Sequence, residues 1–345
     1  MFIPETYQAA LLLMILSMIC WGSWANTLKL APGFRFQLFY WDYVIGLAAG
    51  AIAWGLTAGS AGHTGLPFLS DVLHTSASRI LWAAAGGVIF NIANLLLVAA
   101  IDVAGLAVAF PVGIGLALIV GTISSYIVRP AANPLLLFGG VALVTVAILL
   151  DAAAYRRREQ SATGVPTDRS SFVGLKATST RGIVLSLIAG LLMGSFYPLV
   201  AHAMSAPESG LSPGPYATAL FFAIGVLIST IPANLALMAR PLDGKPPVSL
   251  SGYWSAPFGW HAAGWIGGAI WATGAIANFV ASQTHFVGPA VSYSIGQGAT
   301  MVSAFWGVFI WREFAGSPFS AKLLLFFMFV FFLLGLGSIA LAPLH

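Results

Sequence analysis

The chain has 345 residues, 59% of them hydrophobic and only 7% charged, with a formal net charge of +4 and a single cysteine. Soluble domains carry about 25% charged residues, so this composition excludes a water-soluble enzyme and describes a chain dissolved in lipid. Cys20 lies inside an apolar run, so no disulfide framework holds the monomer.

A membrane span takes about 20 mostly apolar residues. In chain order, such runs fall at about 7–26, 37–57, 80–100, 104–128, 134–151, 182–203, 215–237, 261–283, 287–310 and 322–342. The first lacks a basic region and a small-residue cleavage pattern, so it reads as a retained span. It carries Trp21 and Trp24, one turn apart; these rings either line a cavity or sit at the membrane interface. Span 2 holds Asp42 within Phe39-Tyr-Trp-Asp-Tyr43. A carboxylate inside the membrane is a proton-coupling candidate. It is equally placed to stabilise a helix N-terminus or to pair with Lys29 or Arg35. Span 3 carries Asn91 and Asn94, of which Asn91 reads as interhelical glue and Asn94 as a site candidate. Asp102, at the tight corner before span 4, is a second coupling candidate. Pro111 interrupts span 4, and Asp151 ends span 5.

The segment 152–181 is rich in Ser, Thr, Gly and charge and reads as a flexible linker. It divides the chain into a five-span repeat at 1–151 and another at 182–345. Two polar loops, around 58–78 and 238–260, join spans 2–3 and 7–8. In the second half, Tyr197 lies on span 6, and Asn278, Ser282 and His285 fall on span 8. His285 reads as a solvated end. Span 9 is the richest in polar groups: Tyr293, Gln297, Thr300 and Ala304 share one helix face. Gln297 lies mid-span between Gly296 and Gly298, where its amide must bond another helix or meet a solute. Glu313 follows Arg312 and is expected to pair locally or stay solvated.

The two halves are variants of one another. Gly105-Leu-Ala-Val-Ala-Phe-Pro-Val-Gly-Ile-Gly115 aligns without gaps on Gly288-Pro-Ala-Val-Ser-Tyr-Ser-Ile-Gly-Gln-Gly298. Gly22-Ser-Trp24 answers Gly194-Ser-Phe196, and Ile92-Ala-Asn94 answers Ile276-Ala-Asn278 one residue out of that register. An odd number of spans per copy turns the second upside-down, and inverted repeats place a solute site near the midplane between them. Lys29, Arg35, Arg156, Arg157, Arg158, Arg169, Lys176, Arg181, Arg240, Lys245, Arg312 and Lys322 fall on one side of the membrane. Only Arg79 and Arg129 fall on the other. The positive-inside rule makes the first side cytoplasmic and puts both termini outside. This distribution accounts for the net charge without a nucleic-acid partner. No Gly-x-x-x-x-Gly-Lys-Ser/Thr loop is present, which removes an ATP-driven pump, and no metal-ligand or nucleophile–base spacing supports an enzyme.

Several of these stretches resemble the ureide permease family: Gly86-Gly-Val-Ile-Phe-Asn-Ile-Ala-Asn94, Val103-Ala-Gly-Leu-Ala-Val108, Val120-Gly-Thr122, Tyr40-Trp-Asp-Tyr43, Gly46-Leu-Ala-Ala49 and Phe305-Trp-Gly-Val308. The resemblance places the chain in the drug/metabolite transporter superfamily, near the glucose and rhamnose uptake families. It implies an all-α membrane fold of ten helices in an inverted five-plus-five repeat, and proton-driven uptake of allantoin, uracil and kindred heterocycles. Plant members carry a longer central loop with a nucleotide-binding-like motif, which this linker lacks. Matching positions carry over Asn94, Asp42 and the polar face of span 9.

The expected activity is therefore proton symport of a small neutral polar solute, a ureide or nucleobase or else a monosaccharide, across a plasma or bacterial inner membrane. No cofactor is expected beyond the coupling proton, and the partners are the solute and lipid. Gln297, Tyr293, Asn94, Asn278, Trp21, Trp24, Tyr197 and Thr300 are the candidate solute contacts; Asp42 and Asp102 are the coupling candidates. The alternatives are a broad-specificity exporter and a membrane receptor that transports nothing.

Overall fold

The computed structural model describes residues 1–104, 106–163, 178–205, 212–242 and 245–345, and their regular structure is helical. Helix α1 (Tyr7–Ser23) runs on into a 3-10 turn, Trp24–Leu30. It is followed by α2 (Phe36–Leu56), a short α3 (Phe68–His74), α4 (Ala77–Ala104), α5 (Leu106–Val128) and α6 (Pro134–Thr163). The second half holds α7 (Thr178–Met204), α8 (Pro215–Ala239), a short α9 (Ser251–Trp254), α10 (Phe258–Ser282), α11 (Pro289–Gly296), α12 (Ala299–Phe305) and α13 (Phe319–Leu341). Proline opens α8 and α11 at the first turn, where its missing N–H costs nothing.

Among the described residues, nine helical stretches are long and apolar enough to cross a bilayer. They match nine of the ten expected runs. The remaining run, 287–310, is not one helix but α11, α12 and a π turn at Trp306–Ile310. At the first break the backbone ladder tightens: Gly298 N–H donates to Ile295 O at 2.9 Å and Thr300 N–H to Gln297 O at 3.2 Å. The sequence permits this because glycine leaves room beside the break. A Cβ at Gly298 would lie 2.5 Å from Met18 Sδ, and one at Gly296 would lie 2.7 Å from the Trp21 ring. Irregular backbone at this depth is tolerated where protein buries it or a cavity adjoins it.

The helices of the two halves interleave. α4 packs against α7 and α8, and α10 packs against α1 and α2. α5 lies on α7, α1 meets α11 and α12, and α6 pairs with α13. Lipid tails are as apolar as leucine, so helices associate here through close van der Waals contact between small residues. The two tightest crossings rest on reciprocal glycines. On α2–α10, a Cβ at Gly268 would fall 1.9 Å from Tyr43 O and one at Gly46 2.1 Å from Trp265 O. On α4–α8, a Cβ at Gly225 would fall 2.0 Å from Ala84 O and one at Gly87 2.0 Å from Phe222 O. These obstacles are backbone and cannot rotate away. Gly268→Val is expected to lower stability by about 3 kcal/mol. Gly139→Val, with nothing within 4 Å of its Cβ, should leave the thermal midpoint of detergent-solubilised protein unchanged. Equal midpoints for the two variants would remove close approach as the cause.

Candidate functional site

A cavity of about 320 Å³ lies between the halves, at the small end of the range of about 300–1,000 Å³ for ligand sites. Its floor is near the middle of the helices, where Phe90 and Asn94 of α4, Phe196 of α7, Trp271 of α10, Trp21 of α1 and Gln297 of the break converge. From there it runs toward the end where α1 finishes and α2 begins, past Trp24, Leu28, Phe36, Ile101 and Ser303. Aromatic rings make most of the floor. Trp21 stacks on Trp271 with centroids 5.8 Å apart, and Phe90 sits 4.3 Å from Trp271. Among the described residues, no charged side chain lines the cavity. Asp102 follows Ile101 at the end of α4, and its side chain lies outside the described residues.

The polar lining is small and specific. Gln297 is 8% exposed, lines the cavity, and its carboxamide makes no hydrogen bond among the described residues. Asn94 donates its amide to Tyr40 Oη at 3.2 Å and also faces the cavity. Thr300, with its hydroxyl on Gln297 O at 3.2 Å, and Ser303 nearer the mouth complete the set. An unbonded carboxamide offers both a donor and an acceptor to a guest.

The remaining expected contacts form a knot beyond the cavity floor, toward the other end of the bundle. Asn278 donates to Ser17 Oγ at 3.1 Å and to Ser292 O at 2.9 Å, and its Oδ1 accepts from Ser292 Oγ at 2.9 Å and from the Tyr197 hydroxyl. Tyr293 is fully buried and donates to Ala117 O at 3.1 Å. Asn278, Tyr197 and Tyr293 thus lie outside the cavity lining, with their polar atoms already satisfied. Asn91 is likewise bonded on both sides, to Tyr40, Ser229 and Thr230.

A family model described as ureide permease matches residues 165–342, more than half of the chain. The chain belongs to the ureide permease family. It is similar over its full length to Ureide permease 1 of Arabidopsis thaliana, with 22% identity over 398 residues and 100% of both chains covered. Ureide permease 4 of that plant is 24% identical over 407 residues, again covering 100% of both, and Ureide permease 2 is 23% identical over 390 residues, covering 96% of both. A solved crystal structure aligns over 96% of this chain and 98% of its own with a TM-score of 0.55; at 15% identity this is a likeness of fold alone. The named relatives are permeases and not enzymes, and the family member described here is a multi-pass integral membrane protein.

In this ureide permease family member Asp42 does not line the cavity. It is fully buried on α2, with Oδ1 accepting from the Tyr253 hydroxyl at 2.7 Å and Oδ2 2.7 Å from His261 Nδ1. Neither Lys29 nor Arg35 is its partner, since Lys29 pairs with Glu313 at 2.9 Å. Burial, then the hydrogen bond to Asp42 and its charge, push the Tyr253 hydroxyl above the ordinary tyrosine range. Glu313 pairs with Lys29 and Arg158, not with Arg312. Burial works against its ionisation, but Lys29, Tyr155 and Arg158 outweigh that and hold it below the usual carboxylate range.

Trp271, Phe90 and His261 were not singled out by sequence. Trp271 carried a signal, lying seven residues before Asn278 and so on the same side of α10. His261 carried none, because its partner is 219 positions away. The division into bonded and unbonded amides is testable without solute. Tyr197→Phe is expected to cost about 1–3 kcal/mol by removing a donor from a buried amide, whereas Gln297→Ala breaks no bond and should leave the thermal midpoint of the purified protein unchanged. A larger loss for Gln297→Ala would mean that its amide serves the fold.

Proposed function

We propose that the protein is a secondary transporter that imports a neutral cyclic ureide or nucleobase by alternating access, coupled to protons. The observation that carries the reading is the cavity itself: aromatic and uncharged among its described residues, with the unbonded Gln297 carboxamide at its floor. Flat heterocycles with alternating N–H and C=O groups match stacked rings and a carboxamide, which both donates and accepts. The relatives are named for ureides, which favours this class over monosaccharides. The small volume disfavours a broad-specificity exporter.

The geometry fits a state open on one side only. The cavity reaches the end where α1 finishes, while the Asn278 knot and Tyr293 fill the space beyond its floor. By the distribution of Lys and Arg, the open side is the cytoplasm and both termini lie outside. On this reading 287–310 is a tenth, discontinuous span, the halves 1–151 and 182–345 are inverted repeats, and 152–181 is the cytoplasmic linker. Helix pairing supports the repeat. Exchanging the halves turns the α4 contacts with α7 and α8 into those of α10 with α1 and α2, and the glycine crossings α4–α8 and α2–α10 exchange likewise. Broken spans beside a midplane site recur in inverted-repeat transporters. The placement in the drug/metabolite transporter superfamily rests on this architecture.

Asp42 with His261 is the proposed proton site. An intramembrane carboxylate is costly unless paired, and His261 Nδ1 lies 2.7 Å from Asp42 Oδ2. Tyr40, two residues before Asp42, holds the cavity amide of Asn94, so movement of α2 reaches both sites. Purified protein in liposomes under an outside-acid gradient, given labelled allantoin, uracil, glucose and rhamnose, is expected to accumulate allantoin or uracil. Gln297→Ala should abolish that uptake; normal affinity and flux would remove it from the site. Asp42→Asn should lose accumulation against a gradient yet keep solute exchange. Wild-type accumulation of sugar alone would transfer the site to the sugar class.

A further inference from the structure

A second carboxylate is buried in a membrane-crossing helix, and the mechanism above leaves it unused. Asp151 on α6 is 5% exposed, and its Oδ1 is shielded from solvent without a hydrogen-bond partner. An ionised carboxylate left so costs several kcal/mol, whereas a protonated one is neutral. Tyr155 and Arg158 follow at i+4 and i+7, so the three residues share one face of α6. That face meets Glu313, whose Oε2 accepts from the Tyr155 hydroxyl at 3.1 Å and lies 3.6 Å from Arg158 Nη1. Its Oε1 takes Lys29 Nζ at 2.9 Å, and Asp151 and Glu313 feel each other's charge.

Glu313 is thus a hub. It joins α6 and the 3-10 turn after α1, which ends near Lys29, to the segment that follows the broken span. Two further bonds bind the same segments: Trp311 Nε1–H to Asn26 Oδ1 at 2.6 Å, and Trp306 Nε1–H to Ser23 Oγ at 2.9 Å. Trp24, Leu28 and Ser303, in the elements so joined, line the cavity mouth.

We infer that Asp151 is a proton-binding site that sets the strength of this junction, so that transport responds to pH on the side where α6 ends. The inference rests on the transporter reading above. With its proton in place, Asp151 leaves both cations to Glu313. When the proton passes from the carboxyl oxygen to water, the new carboxylate repels Glu313 and competes for the cations that hold it, Arg158 on its own helix face and Lys29. The junction then loosens and the broken span can move against α1. The other groups around Asp151 do not replace this supply. α13 contributes only Lys322, which is exposed; α5 contributes only Tyr126, at its far end; Arg312, beside Glu313, is exposed; and Arg156, Arg157 and Glu159 lie beyond it on α6 itself. A proton-coupled importer built this way slows as its own interior acidifies.

Infrared difference spectra of the purified protein read the carboxyl without any solute. A protonated-carboxyl band is expected at neutral pH in the wild type and in Asp42→Asn, and it should be absent from Asp151→Asn. In proteoliposomes, wild-type uptake should fall as the inner pH falls, by about tenfold per pH unit below the midpoint, because the rate follows the ionised fraction. Asp151→Asn, held in the neutral form, should be slow and flat. Glu313→Gln should keep the band and lose the pH response. A band that survives in Asp151→Asn, or an unchanged pH profile in that variant, overturns the inference. If the wild type moves none of the solutes, the transporter reading fails instead, and the infrared band still decides the proton site.

Discussion

A polar group in a bilayer has no water to turn to, and the arrangement of this protein follows from that constraint. Asn278 is bonded on all sides by Ser17, Ser292 and Tyr197, and Asn91 by Tyr40, Ser229 and Thr230. Each closes one interior junction between helices of the two halves. Gln297 differs from these two carboxamides in that its side chain has no protein partner among the described residues. Its amide is affordable only because a cavity adjoins it, and on the proposed reading a solute takes the place of the missing partner.

The cavity in turn depends on how closely the helices approach. Trp21 is clamped between two glycines, since a Cβ at Gly274 would lie 2.7 Å from its Cδ1 and one at Gly296 2.7 Å from its Cζ3. That clamp presents the indole to Trp271 and sets the flat wall. Gly296 serves both features, since it admits Trp21 and, with Gly298, flanks Gln297 at the break. Glycine costs a helix about 1 kcal/mol relative to alanine, and here the cost is met by backbone-to-backbone contact.

Charge is kept away from this floor and gathered at one end of the bundle. Exposed ion pairs such as Lys29–Glu313 are individually worth about 0–1 kcal/mol. Their effect here lies in number and position: two cations, a tyrosine and two tryptophans meet around the segment that follows the broken span. The buried Asp42–His261 pair lies on the α2–α10 crossing, beside the Gly264 contact, where a Cβ would fall 2.4 Å from Asp42 Cβ. That crossing has no slack, so on the proposed reading protonation there acts on helix position.

Sequence alone determined the membrane class, the positions of nine uninterrupted spans, the asymmetry of Lys and Arg, and the prominence of Gln297 between two glycines. Each is a property of composition or of near neighbours along the chain, and lipid enforces it segment by segment. Sequence did not separate Trp21, Asn94 and Gln297, which line the cavity, from Tyr197, Asn278 and Tyr293, which bond one another outside it. It left Asp42 open between proton coupling, a helix N-terminus and pairing with Lys29 or Arg35, and did not name His261, which the fold supplies. It expected one helix where Gly296-Gln297-Gly298 breaks the ladder. Those outcomes were decided by tertiary structure, because a buried donor takes whichever acceptor the packing brings within about 3 Å. That packing is set by glycine contacts between helices far apart in the chain.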